Sequence, residues 1–229
     1  MIDKTQIGNK GILIAVIILL LWLSVFVFAL FKPLDVLSFW AIPLIFLLSE
    51  LFTGIFITAH DSIHGVVYPA NKKINRLIGF FCASVFAFNS YDLMYVNHHK
   101  HHNNTLEDID PDFHPSGKFF PWFISFIGHY IGWKQFLLTA LFFNFMLFVV
   151  KIEVANLMLF YVLPMCLSTV QLFYFGTFKP HKGMHENRHK SGTQNKNHIW
   201  AFVSCYFFGY HYEHHANPYV PWWRMYQSK

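Results

Sequence analysis

Residues 12–31 read ILIAVIILLLWLSVFVFALF, an uncharged apolar run. A helix rises about 1.5 Å per residue, so about 20 such residues cross the hydrocarbon core of a bilayer. The run exceeds the apolar core of a secretion signal, about 7–15 residues, and reads as a membrane helix. A second span is expected over 36–59, after a tight KPLD turn. A third is expected over 135–150, with an earlier start left open, and a fourth over 154–176, beyond the turn KIEVAN. Segments 77–89, 119–133 and 198–209 are apolar but short. They suit interfacial helices, or for the first a re-entrant one. Hydrophobic residues make up 55% of the 229 and charged residues 13%, with a mean hydropathy of +0.35. The expected fold is all-α: a polytopic membrane protein of about four transmembrane helices plus interfacial helices. No repeat or low-complexity linker divides the chain, so residues 1–229 are expected to form one domain.

The net charge of +5 comes from 17 Lys and Arg against 12 Asp and Glu. No basic cluster interleaved with aromatics marks a soluble nucleic-acid-binding module, so no nucleic-acid partner is expected. The charge reads as topology instead. Four crossings put both ends on one side, and only Lys32 and Lys151 fall in the two turns opposite. Lys134 lies near a span boundary, and the other basic residues lie on the terminal side. The positive-inside rule makes that side cytoplasmic. Cys82, Cys166 and Cys205 stand alone in apolar segments, form no CxxC pair, and read as small buried hydrophobes.

Against this background the 15 histidines are grouped. His60 and His64 in HDSIHG lie at i and i+4. His98, His101 and His102 in NHHKHH lie at i, i+3 and i+4, and His211, His214 and His215 in HYEHH repeat that spacing. Residues three and four apart share one helix face. All three groups fall on the expected cytoplasmic side, which is what a composite site requires. Imidazole is a ligand for Fe, Zn, Cu and Ni. A zinc site takes about four ligands and an octahedral ion about six, so eight imidazoles imply two metals. With no thiolate and few carboxylates among them, two redox-active irons held mainly by histidine fit better than structural zinc. Such a site differs from the carboxylate-rich di-iron sites of soluble bundles.

His181, in GTFKPHKG, follows the fourth span on the same side and is either a ninth ligand or a loop histidine. His185 and His189 sit among charged residues and read as a solvated loop. His99 lies off the shared face, and His114 and His129 are not expected to bind metal. Ligating histidines usually pass their second N–H to an acceptor. Asp61 and Glu213, inside the motifs, and Asp110 and Asp112, in EDIDPDF, are the candidate acids. Glu50, inside the second span, is flagged because ionisable groups in lipid are commonly functional. The pair Trp222 and Trp223 is expected to anchor the membrane interface. The rival from another class is a membrane metal transporter. Transporter sites lie near the bilayer midplane, whereas these histidines lie at span ends.

HDSIHG, NHHKHH and FGYHYEHH resemble the three histidine boxes of the membrane fatty acid desaturase-like superfamily. HDSIHGVVYP, DPDFHPSG, QLFYFGTFKPH and FGYHYEHHANPYVPWWR are most similar to bacterial membrane-type β-carotene ketolases. That resemblance implies a non-haem di-iron oxygenase in the bacterial inner membrane, acting at carbon 4 of the β-ionone ring. Two hydroxylations would give a geminal diol, which loses water to form a ketone. O2 is the implied co-substrate, and reduced ferredoxin or a similar carrier the implied electron donor. The implied ligands of the two irons are His60, His64, His98, His101, His102, His181, His211, His214 and His215. A carotenoid dissolves in membrane lipid, so an apolar tunnel is expected to reach the site. Carotenoid hydroxylation and fatty acyl desaturation or hydroxylation are the nearest alternatives.

Overall fold

The computed structural model describes residues 8–34, 38–183 and 185–229. It is all-helical, with no strand among the described residues. Among the described residues three helices are long and apolar enough to cross a membrane: α1 (Lys10–Phe31), α2 (Ala41–Ile63) and α7 (Val154–His181). A fourth crossing, if the pair is one span, is made by α5 (Phe119–Tyr130) and α6 (Trp133–Phe148), bent by 86° at their junction. The expected third span, 135–150, falls on α6 and the segment 119–133 on α5; between them Gly132 has an extended backbone. The shorter helices are α3 (Lys72–Val85), α4 (Tyr91–Asn103) and α8 (His198–Cys205). A short α9 (His211–Ala216) and a 3-10 turn over Trp222–Ser228 end the chain. Helix α2 starts later than expected. Residues 35–37, where the expected span began and the KPLD turn ended, lie outside the described residues.

Helix α2 is the hub, with α1, α3 and α7 packed on it. From Leu51 to Ile63 every residue is buried except the half-buried Phe56. Its far end holds His60 and is tied to its neighbours by hydrogen bonds. The Ser62 hydroxyl donates to the Ala59 carbonyl at 2.7 Å and meets the Tyr91 hydroxyl of α4 at 3.0 Å. The Asn75 amide of α3 donates to the Ser62 carbonyl at 2.7 Å. These contacts set the first histidine group against the second.

Helix α7 runs 28 residues, about 42 Å at 1.5 Å per residue, and outreaches a bilayer core of about 30 Å. It contains two π turns, Met158–Val162 and Tyr174–Phe178. Each stops two residues short of a proline, Pro164 and Pro180. A proline inside a helix removes an N–H and crowds the carbonyl four residues earlier. Widening the preceding turn relieves that crowding, and the helix continues. The expected span ended at 176, but the helix carries on to His181. Gly176, in the second π turn, lies against the Phe208 ring, which an added Cβ would meet at 2.2 Å.

Helix α5 docks through Trp122, which is 2% exposed and packs with Phe178 and Phe173. Trp222 and Trp223, expected to anchor the membrane interface, are both half-buried. Trp222 packs on Tyr206 and Phe202, and Trp223 lies against Gly11 at the start of α1.

A Cβ on Gly79 of α3 would lie 1.7 Å from Ser62 Oγ and 2.4 Å from the Tyr91 ring. Overpacking of this kind costs about 1–3 kcal/mol. Gly79→Ala is therefore expected to lower the thermal midpoint in detergent and to reduce bound metal. Unchanged values would show that the helix contact is looser than its geometry implies.

Candidate metal centre

Four elements deliver the imidazoles. His60 sits near the end of α2, with His64 just past it; His98, His101 and His102 sit on α4. His181 ends α7, and His211, His214 and His215 sit on α9. Two links hold the last two elements together. The Gly192 N–H donates to the Pro180 carbonyl at 2.8 Å, and the Tyr212 N–H to the Gly192 carbonyl at 3.2 Å. The α9 region is tied to α2 through the Trp222 N–H, which donates to Asp61 Oδ2 at 2.9 Å.

The side chains form two buried groups. One comprises His60, His64, His98 and His214, and the other His101, His181, His211 and His215. Within each group one ligand atom from every residue lies within 4.8 Å of the others. His102 stands between them. Its Nε2 is 3.0 Å from His214 Nε2, and its ring stacks on His215 at 4.1 Å. The structure thus brings all nine named histidines into one cluster.

The donor geometry suits metal. Nε2 atoms face one another at 2.7 Å for His64 and His98, and at 2.8 Å for His181 and His211. The separations are 3.0 Å for His211 and His215, and 3.1 Å for His101 and His215. Metal–imidazole bonds are about 2.1 Å, which puts donors at right angles about 3.0 Å apart. The buried Nε2 of His60 has no hydrogen-bond partner among the described residues. The opposite nitrogens find acceptors. His101 Nδ1 lies 3.0 Å from Asp110 Oδ1, His60 Nδ1 3.3 Å from Asp61 Oδ1, and His181 Nδ1 3.1 Å from the Lys190 carbonyl. A proton held on Nδ1 leaves the Nε2 lone pair free for a cation.

Electrostatics favour the same state. Burial, reinforced by neighbouring imidazoles, holds His64, His98, His211, His214 and His215 well below the ordinary 6.5. The same causes press His102 down to about 2. Burial also presses on His101, but Asp112 and the hydrogen-bonded Asp110 outweigh it and raise that imidazole. Burial pushes Asp112 up to about 6, with Asp110 adding to the push and His101 opposing it.

The named acids take different places. Asp61 and Asp110 each touch a histidine of the cluster. Asp112 receives the Tyr130 hydroxyl proton on Oδ1 at 2.6 Å. Glu213 is buried beside His214, with Oε2 unpartnered. Glu50 lies apart from the cluster and is held by the Gln171 amide at 2.7 Å. His185 and His189 are half-buried rather than solvated, and the His189 ring lies 5.5 Å from Tyr212. Beside the cluster is a cavity of about 420 Å³. His60, His98, His101 and His211 line one wall, and Phe56, Phe86, Phe123 and Phe126 are among its apolar residues. These phenylalanines carry no mark in the sequence, because apolar residues along a membrane helix look alike whether they face lipid or a cavity.

The sequence signature of the fatty acid desaturase family matches residues 44–147 and 118–227, a range that contains all nine histidines. The chain belongs to the fatty acid desaturase family. This desaturase-family chain is 34% identical over 235 residues to the zeaxanthin 4-ketolase of Chlamydomonas reinhardtii, covering 94% of the chain and 52% of that protein. It thus spans about half the length of that relative. It is 33% identical over 249 residues to β-carotene 4-ketolase 3 of Haematococcus lacustris, covering 94% of the chain and 78% of the relative. It is 36% identical over 182 residues to a β-carotene ketolase of a Paracoccus species, covering 78% of the chain and 74% of the relative. No solved structure matches it.

Second partners of ligating imidazoles typically contribute about 10–100-fold to metal affinity. Asp110→Ala removes the partner of His101 and should weaken metal binding by that factor in a chelator competition. The depressed imidazoles give a pH prediction for metal-stripped protein. The unfolded chain takes up protons near pH 6.5 and the folded chain does not, so stability is present above that value and lost as pH falls below it. Thermal midpoints of the stripped protein should therefore drop between pH 7.5 and about 5.5.

Proposed function

We propose that this protein is an O2-dependent di-iron ketolase that oxidises carbon 4 of the β-ionone rings of β-carotene, giving echinenone and then canthaxanthin. The reading is carried by one observation: nine imidazoles converge, and four of them line one wall of an apolar cavity inside a membrane helix bundle. Its similarity to proteins named β-carotene ketolase supports the carotenoid substrate.

On this reading His60, His64, His98, His102 and His214 hold one iron, and His101, His181, His211 and His215 hold the other. Bound iron, with O2 and electrons, supplies the oxidant that an unactivated C–H bond requires. The protein supplies placement. Asp61 and Asp110 keep their histidines in the Nδ1–H form and fix the rings. The phenylalanine wall admits the hydrocarbon ring from lipid and keeps water out. Two hydroxylations at one carbon give a geminal diol, which loses water to leave the ketone. Electrons come from reduced ferredoxin or a similar carrier at the cytoplasmic face of a bacterial inner membrane. The crowding of Lys and Arg on the side that holds the histidines supports that orientation.

Placement of the histidines at helix ends argues against a transporter, as does the partnered state of Glu50. Expression in β-carotene-producing cells should yield ketocarotenoids, with two irons per chain, one for each group. His98→Ala and His211→Ala should abolish ketone formation and lower iron content while the chain still inserts. Hydroxylated carotenoids as the final product, or altered acyl chains alone, would overturn the assignment in favour of another family reaction. Metal flux in proteoliposomes without O2-dependent turnover would overturn it in favour of transport.

A further inference from the structure

We infer that Tyr130 and Asp112 form a holding site for the ring hydroxyl left by the first oxidation, and that this site commits the protein to a ketone. The inference rests on the ketolase reading and concerns which product leaves. A ketone requires a second attack on the carbon that was attacked first. The once-oxidised ring must therefore stay in the cavity, with that carbon still facing the imidazole wall.

The cavity is built mainly of apolar side chains, yet Asp112 and Tyr130 lie in its lining together with His60, His98, His101 and His211. Asp112 is 7% exposed. Its backbone is pinned from both sides. The Trp122 indole N–H donates to its carbonyl at 2.6 Å, and its own N–H donates to Asp110 Oδ1 at 2.9 Å. Asp110 in turn holds His101. The carboxylate is thus fixed beside the imidazole wall, and Tyr130 fixes its Oδ1 by donating a hydrogen bond. A buried acid with a tyrosine partner is an unusual feature in a cavity for a pure hydrocarbon.

Its effect is selective. A hydrocarbon ring has no polar atom and gains nothing from a carboxylate. A ring hydroxyl entering an apolar cavity loses its water hydrogen bonds and is expelled unless the wall accepts it. A hydrogen bond to an ionised acceptor, offered only to the hydroxylated ring, should lengthen its stay by about tenfold to a hundredfold. This is discrimination between two bound states of one substrate, and it raises the yield of the second oxidation. Among the other polar residues of the wall, Gln135 stands out: its Oε1 is buried and unpartnered while its Nε2 donates to Asn89 at 2.8 Å. Asn89 precedes α4, on which His98 lies about two turns further along. Asp112 instead adjoins a residue that touches His101 directly.

The test compares Tyr130→Phe, Asp112→Asn and Gln135→Leu with the parent in β-carotene-producing cells, and in membranes supplied with 4-hydroxy-β-carotene. The readouts are the ratio of 4-hydroxy to 4-keto product and the iron content. Tyr130→Phe and Asp112→Asn should raise that ratio about tenfold or more, with iron retained in Tyr130→Phe. An unchanged ratio in Tyr130→Phe, with total oxidation either kept or lost, would overturn the holding site while leaving the ketolase reading intact. A ratio that moves in Gln135→Leu but not in Tyr130→Phe would move the site elsewhere and overturn this assignment. A parent that oxidises no carotenoid would sink both readings.

Discussion

Nitrogen lone pairs that face one another in a buried space are unsatisfied unless a proton or a metal cation stands between them. Pairs of Nε2 atoms here lie 2.7–3.1 Å apart, and burial keeps most of these imidazoles neutral. Without a cation, such a cluster costs the folded state a set of unpaired acceptors. With one, the same lone pairs become bonds joining α2, α4, α7 and α9. Metal binding is then part of the folding free energy, as in other proteins whose ligands come from distant segments. The helices with little other reason to meet, above all the six-residue α9, are held by that requirement.

The surrounding polar contacts complete the arrangement. Asp61 serves two elements at once, with one oxygen toward His60 and the other on the Trp222 backbone. Asp110 likewise takes His101 and the backbone N–H groups of Leu106 and Asp112. The segment 110–112 therefore joins the metal centre to the cavity wall through short, buried bonds. A rigid link of this kind suits a site that must distinguish successive forms of one substrate while most of the lining around it is apolar.

Much of the centre was legible in the sequence. The i, i+3, i+4 spacings mark one face of a helix, and a cluster of imidazoles beside apolar spans has few uses other than metal. His181 was less legible. It follows a proline, a few residues past the point where the apolar run fades, so a ninth ligand and a loop histidine were equally open. A widened turn ahead of Pro180 lets the helix continue and turns His181 toward His211. The sequence separated segment 119–133 from the span at 135–150 but left the start of that span open, and the 86° bend between α5 and α6 is set by packing. Tyr130 went unnoticed because one tyrosine at the end of an aromatic run carries no signal until its partner is known.

Composition and local spacing by themselves determined a helical membrane protein with three histidine-bearing helix ends, because hydropathy and helical periodicity are properties of neighbouring residues. Which imidazoles share a metal, where the cavity runs and which acid lines it were decided only by the tertiary structure. These depend on contacts between residues tens to more than a hundred positions apart, such as Asp61 with Trp222 and His101 with His215. Helix packing and a few buried hydrogen bonds make those contacts, and no stretch of the chain encodes them alone.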